Sequence, residues 1–343
     1  MKKSIPLLLS MSLAATLFAG CSTSSSEDTA AAKNSSANVS TEKPVSTEQS
    51  GSAGLGEASI DTSNINTKYT DVAYGSQSEK QKLDIYLPNE GEGPFPVIIA
   101  IHGGGFMKGD KTGADLSPTL EGVNRGYAVV PVNYRLSGEA IFPAAINDVK
   151  AAIRYIKKNA KDYNLDPNNI AVWGNSAGGN LAALAGTSGE DNSLNGKKTE
   201  NPEYSSEVKA IIDWFGPLEF LKLDEQFAES GITPKLGERS SDTSPESKYI
   251  GGNITENVEQ TEKANPASYI TKNDPYFFIQ HGTADQNVPT QQSIDFAEKL
   301  TSVLGKEKVT LSLIEGAGHG GEQFNSKENL EEVFNFLGSV LKK

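Results

Sequence analysis

The chain has 343 residues, a formal charge of −13 (31 Lys and Arg against 44 Asp and Glu), three histidines and one cysteine. A single thiol excludes an internal disulfide, and a body of roughly 280 residues buries a core without disulfide or metal staples. The acidic balance repels nucleic acid and anionic headgroups, so no nucleic-acid partner is expected.

The chain opens on an address. Lys2 and Lys3 precede an apolar stretch, Ile5 to Ala19, interrupted by Pro6 and several Ser and Thr. It is too short for a comfortable membrane span and reads as a signal peptide over residues 1–20. It ends in Leu17-Phe18-Ala19-Gly20-Cys21. Small residues before a cysteine resemble the bacterial lipobox, so Cys21 is the expected lipidation site. The lipid would hold the protein, outside the cytoplasm, on a membrane that it does not span. Residues 21–60 are rich in Ser, Ala, Thr, Glu and Asn and almost lack large apolar side chains, which predicts a flexible tether.

From residue 61 onward the pattern becomes globular. Tyr69–Tyr74 and Leu83–Leu87 read as early strands. Pro96–Ile101 is a continuous apolar run, as in a strand buried on both faces, and Tyr127–Val132 is a second. Ala144–Ala160 carries Ile146, Val149, Ile153 and Ile156 at helical spacing. Asn169–Trp173 reads as a strand, Ala177–Ala185 as a helix and Val208–Phe215 as a strand. Pro275–Gln280 and Val309–Ile314 are the last strands, followed by helices Ser293–Leu304 and Asn329–Leu341 respectively. Strands alternating with helices predict a mostly parallel central sheet with helices on both faces. Residues 217–273 break the alternation. They are polar and uneven, and too long for an ordinary connection, so they read as an insertion at the active-site end, a partial lid.

The chemistry-bearing residues fall at strand ends. Gly174-Asn175-Ser176-Ala177-Gly178 fits G-x-S-x-G where a strand gives way to a helix, the context of a nucleophile elbow. Upstream, His102-Gly103-Gly104-Gly105 closes a buried strand, and glycines there let backbone N–H groups approach a substrate oxygen. Gly104, Gly105 and Ala177 are the expected oxyanion donors; His102 reads as structural. His319 lies in a Gly-rich loop after the last strand and is the expected base. His281 reads as packed at a strand end. Two acids compete to orient His319: Asp285, just past a strand, and Asp213, near the end of the preceding one. Asp148 reads as helical and structural. Phe106, Asn175, Trp214 and Phe215 are the expected walls of the substrate pocket. No metal or cofactor is expected.

Residues 68–343 resemble the α/β-hydrolase superfamily, and within it bacterial carboxylesterases of the hormone-sensitive-lipase and feruloyl or acetyl-xylan esterase-like groups. The matching pieces are HGGGF (102–106), VNYRL (132–136), FPAAINDVKAAIRYI (142–156), WGNSAGGNLAA (173–183), HGTADQNVP (281–289) and GAGHG (316–320). The resemblance implies an α/β-hydrolase fold with Ser176 as nucleophile, His319 as base, Asp285 as its partner and the glycine loop as oxyanion hole. Two departures favour the polysaccharide-esterase-like group: Ser137-Gly138-Glu139 follows the Tyr-Arg-Leu, and a tether replaces the N-terminal helical cap. The implied activity is hydrolysis of short-chain or carbohydrate-linked acyl esters, on a small-molecule or polysaccharide substrate. A prolyl-type serine peptidase and a non-catalytic surface binding protein on the same fold are the alternatives.

Overall fold

A computed structural model describes residues 59–341, apart from Glu190, Lys197 and Lys198. The expected signal segment, Cys21 and the tether up to residue 58 lie outside the described residues. The last two tether residues belong to the fold: Ile60 is buried and its N–H donates to Thr112 O at 2.9 Å.

Among the described residues, eight strands form one sheet: β1 (Lys68–Ala73), β2 (Lys82–Tyr86), β3 (Phe95–Ile101), β4 (Ala128–Val132), β5 (Leu165–Asn175), β6 (Ala210–Trp214), β7 (Tyr276–Gly282) and β8 (Val309–Ile314). Their spatial order is β1-β2-β4-β3-β5-β6-β7-β8. The β1–β2 and β2–β4 pairs are antiparallel. Every pair from β4 onward is parallel. This is the mostly parallel α/β-hydrolase sheet that the strand–helix alternation predicts.

The apolar runs are explained by two covered faces. Successive strand residues point to opposite sides. Val97, Ile99 and Ile101 join α2 (Ala144–Lys158), α3 (Ala177–Thr187) and α7 (Gln291–Leu304), through Ile146, Val149, Ile153, Leu181, Leu184, Phe296 and Leu300. Ile98, Trp173 and Ile212 face α9 (Lys327–Leu341) through Val333, Phe334, Leu337 and Leu341. Ala100 and Val129 meet Leu116 and Val123, which flank α1 (Ser117–Leu120). Asp148 is buried on α2 and accepts a forked pair of bonds from the Arg135 guanidinium at 2.6 and 2.9 Å, which answers its charge.

The insertion is built differently from the expected polar lid. It contains α4 (Leu223–Ser230), α5 (Pro245–Ile250) and α6 (Val258–Lys263). Its scattered apolar residues, Leu218, Phe220, Leu223, Tyr249, Ile250, Ile254 and Ala264, enter the main core cluster. Irregular short helices hide this inward face from any periodicity reading, because no single period runs long enough to register.

Phe334 fixes α9 to the sheet, with ring contacts to Trp173 and Tyr127 and the Arg125 guanidinium 4.5 Å above it. Phe334→Ala is expected to lower unfolding free energy by about 3–5 kcal/mol. Urea denaturation followed by tryptophan fluorescence checks this, and a loss below about 1 kcal/mol would show that α9 is held by other contacts.

Candidate active site

Ser176 sits between β5 and α3, and the local sequence explains why. Its backbone is left-handed, φ 54° and ψ −122°, a conformation that costs a non-glycine residue about 1–3 kcal/mol unless its surroundings impose it. Here they do. A Cβ on Gly174 would collide with Gly178 O, and one on Gly178 would collide with Ile101 O. Ser176 N–H donates to Trp214 O at 2.8 Å, which fixes the elbow to the end of β6. The glycines permit the close approach and the neighbouring strands enforce the turn.

The hydroxyl faces His319. Ser176 Oγ lies 2.8 Å from His319 Nε2, and His319 Nδ1 lies 2.7 Å from Asp285 Oδ2. Asp285 Oδ1 accepts N–H bonds from Asn287 and Val288 at 2.7 and 3.1 Å. Asp285 is fully buried. Burial by itself would raise its carboxyl, but bonds from His281 and His319 outweigh it and hold the group well below the ordinary carboxylate range. The acid is therefore ionised, and Nδ1 of His319 is the donor to it. That leaves Nε2 free to accept the serine proton.

Asp213, the rival acid, is in β6 and points away from this line. It is fully buried, its Oδ1 accepts Gly216 N–H at 3.0 Å, and a Cβ on Gly179 would collide with that oxygen. Its Oδ2 finds no protein partner among the described residues. Burial raises its carboxyl to about 7, with partial relief from His281 and the Gly216 N–H.

Gly104 and Gly105 have φ of 105° and 61°, the left-handed region where only glycine is unstrained. Gly103 lies against the elbow: a Cβ there would be 3.3 Å from Ser176 Cβ. Among the described residues, no protein acceptor is bonded to the N–H of Gly104, Gly105 or Ala177. Ala177 is the first residue of α3, whose opening N–H groups have no partner within the helix. His102 is buried, stacks on Tyr134 at 4.4 Å and has Nδ1 2.8 Å from Gly103 O, so it shapes the loop.

The pocket expectation is narrowed. Phe106 and Trp214 are only 1% and 3% exposed. Phe106 stacks on Tyr249 at 3.9 Å, and Trp214 packs edge-on against Trp173 and Phe324. Both are core side chains. Phe215 is also buried, and its ring lies 4.6 Å from the His319 imidazole. Asn175 donates to Asp115 O and Oδ2 at 3.1 and 3.3 Å, and Asp115 Oδ2 also accepts Gly103 N–H at 3.0 Å. Asp115 thus ties the glycine loop to the elbow. It sits in a single 3-10 turn, Ala114–Leu116, and nothing in the sequence marks it.

The insertion braces both sides of this arrangement. Pro245 would touch a Cβ on Gly105 at 3.2 Å, and Tyr249 supports Phe106. Across the site, Lys235 N–H donates to Gln286 O at 2.8 Å and the Arg239 guanidinium donates to Asn287 O. The 217–273 segment therefore contacts the glycine loop and the acid loop together.

The profile of the BD-FAE family matches residues 83–300. The chain is 30% identical over 235 residues to the probable carboxylic ester hydrolase LipM of Mycobacterium tuberculosis, covering 68% of this chain and 52% of LipM. It thus spans about half the length of that relative. A truncated carbohydrate esterase from gut microbiota superposes with a TM-score of 0.72 at 30% identity, over 83% of this chain and all of that one. A bifunctional GH43-CE protein of Bacteroides eggerthii gives 0.70 at 35% identity, over 79% of this chain and 35% of that one.

The buried Asp213 makes a pH prediction. Its folded carboxyl is raised to about 7 from an ordinary value of 3.8, so between these limits the folded chain holds a proton that the unfolded chain releases. Its contribution to stability therefore falls as pH rises through that window. Asp213→Asn, which does not titrate, is expected to gain stability relative to wild type between pH 4 and 7 and to level off above. Unfolding midpoints of both proteins across pH 4–8 check this; a pH-independent difference overturns it.

Proposed function

The chain belongs to the BD-FAE family, and from that premise we propose that it is a serine carboxylesterase working through a covalent acyl-Ser176 intermediate. The observation that carries the reading is the hydrogen-bonded line Ser176–His319–Asp285, beside Gly104 and Gly105, whose N–H groups have no protein acceptor among the described residues. Ser176 Oγ attacks the ester carbonyl carbon as His319 Nε2 takes its proton. Negative charge gathers on the carbonyl oxygen, and the N–H groups of Gly104, Gly105 and Ala177 stabilise it. His319 returns the proton to the leaving alkoxide, and the alcohol departs. A water then attacks the acyl-serine, gives its proton to His319, and the acid is released with Ser176 restored. Asp285 stays ionised throughout, fixing the imidazole tautomer and stabilising the imidazolium.

The substrate class is short-chain or carbohydrate-linked acyl esters. Two of the similar structures are a carbohydrate esterase and a bifunctional GH43-CE protein, which supports it. So does the mutual packing of the Phe106, Tyr249 and Phe220 rings, which fills the apolar interior beside the glycine loop.

Ser176→Ala is expected to abolish turnover of a chromogenic short-chain ester while leaving the unfolding midpoint in place. Asp285→Asn is expected to lower kcat by several orders of magnitude, on the scale of about 10⁴ for loss of a tautomer-fixing carboxylate in the serine-protease example. Asp213→Asn should cost tenfold or less. Steady-state kinetics of the three variants at one pH decide the assignment, which falls if the larger loss appears at Asp213 or if Ser176→Ala retains a tenth of the activity.

The proposed location is outside the cytoplasm, with the catalytic domain held to a bacterial membrane by lipid on Cys21. No helix among the described residues is long and apolar enough to cross a membrane. Cys21→Ala is expected to move the protein from the membrane fraction to the soluble one, or to block its maturation. Fractionation with a fatty-acid label tests this, and unchanged partition together with unchanged labelling refutes it.

A further inference from the structure

His281 reads from sequence as a packed strand-end residue, yet the structure gives it a defined place behind the acid. It lies near the end of β7 and is fully buried, like Asp285 and Ser293 around it. Its Nε2 is 3.0 Å from Val288 O and 3.2 Å from Asp285 Oδ2; its Nδ1 is 2.7 Å from Ser293 Oγ. Val288 O can only accept, so Nε2 carries a hydrogen. With Nε2 as donor, Nδ1 accepts the Ser293 hydroxyl.

The same Asp285 oxygen that meets His281 also meets His319 Nδ1. The other oxygen is held by the N–H groups of Asn287 and Val288. The carboxylate thus has three N–H donors bonded to it, from His319, Asn287 and Val288, with His281 Nε2 against the same oxygen as His319 at 3.2 Å, and only one of these groups belongs to the base. An oxygen without His281 would be free to rotate off the His319 line or would be left short of a donor in a buried site, and both are costly.

We propose that His281 is a positioning residue: held by Ser293 and Val288, it fixes the Asp285 oxygen that orients His319, so that a line of five side chains runs from Ser293 through His281, Asp285 and His319 to Ser176. Asp285 is the hub where two imidazoles from separate elements meet. One comes from β7 and stays buried; the other comes from the loop after β8 and reaches the nucleophile. The carboxylate-to-imidazole bond is thereby set by the sheet and does not depend on the mobility of the acid loop alone. Its effect belongs to kcat, because His281 is walled off from any bound substrate. The inference rests on the esterase reading above.

The test compares three variants of the full chain with wild type on a chromogenic short-chain ester, with competent sites counted by a phosphonate that labels Ser176. His281→Leu keeps the volume and removes the donor. His281→Gln keeps an N–H near the position of Nε2. Ser293→Ala removes the support behind the ring. His281→Leu is expected to lower kcat per site about 10- to 100-fold with KM within about twofold, and His281→Gln to recover most of it. Ser293→Ala should lose a few-fold. The low-field proton resonance of the His319–Asp285 bond should move in the Leu variant and return towards wild type in the Gln variant, a change that simple loosening of packing would not produce.

Wild-type kcat per site in both His281 variants overturns the proposal. So does an equal loss in Leu and Gln with the resonance unmoved, which would assign His281 to packing. Should the Leu variant fail to fold, Gln near wild type with a loss in Ser293→Ala supports the proposal, and no loss in Ser293→Ala overturns it. Failure of the esterase reading looks different: wild type and Ser176→Ala would then behave alike on the ester.

Discussion

The site depends on how closely α3 approaches the sheet. Its opening turns are nearly all small, Ala177-Gly178-Gly179-Asn180, and each glycine meets something a side chain would displace: Gly178 meets Ile101 O, and Gly179 meets the Asp213 carboxylate and Trp214 O. Gly174, one residue before the elbow's Asn175, meets Gly178 O in turn. Because β5, β3 and β6 converge on this helix start, Ser176 is held in a left-handed backbone conformation it would not choose alone. The strain is met by close-packed backbone, and Ser176 projects from the C-terminal edge of the sheet, where open α/β sheets place their sites.

Everything else in the site arrives on loops, which are less rigid than strands, and each loop is tied down by contacts with its neighbours. Asp115 couples the glycine loop to Asn175. The insertion reaches one loop through Pro245 and Tyr249 and the other through Lys235 and Arg239. Asp224 steadies this bridge by accepting the N–H groups of Arg239 and Ser240 at 2.6 and 2.8 Å. The insertion therefore acts as a strut across the site, which explains why it carries core residues.

These ties have an energetic cost. Arg239 and Glu246 are buried as a pair 3.4 Å apart, and the Arg239 Nε has no bonded partner among the described residues. Burial pushes the Glu246 carboxyl up and Arg239 offsets it. Asp213 is buried with even less compensation. Such groups do not maximise stability, since apolar replacements of similar volume are often neutral or stabilising. They lie next to the elbow and the two loops, where geometry matters more than net stability. The larger apolar clusters on the two faces of the sheet supply the stability that makes them tolerable.

Ordered residue patterns in the chain determine a great deal without its structure. The runs Pro96–Ile101 and Pro275–Gln280 mark buried parallel strands because both faces of the sheet are covered, and the structure places strands on both. Ser176, His319 and Asp285 are legible because each sits in a glycine-flanked segment just past a strand. The same local information is silent on direction and on long-range partners. Asp213 near the end of β6 and Asp285 just past the end of the adjacent β7 are both carboxylates at the same edge of the sheet, and only the tertiary arrangement aims one at His319 and the other beneath α3. Phe106 and Trp214 have the composition of pocket walls, yet strand alternation and the ring packing of Tyr249 and Trp173 turn them into core. His281, four residues before Asp285 in sequence, comes to lie 3.2 Å from its carboxylate only because the chain turns back after β7. Periodicity reports which face of an element is buried; which buried groups meet is decided by how separate elements pack, and no local pattern encodes that.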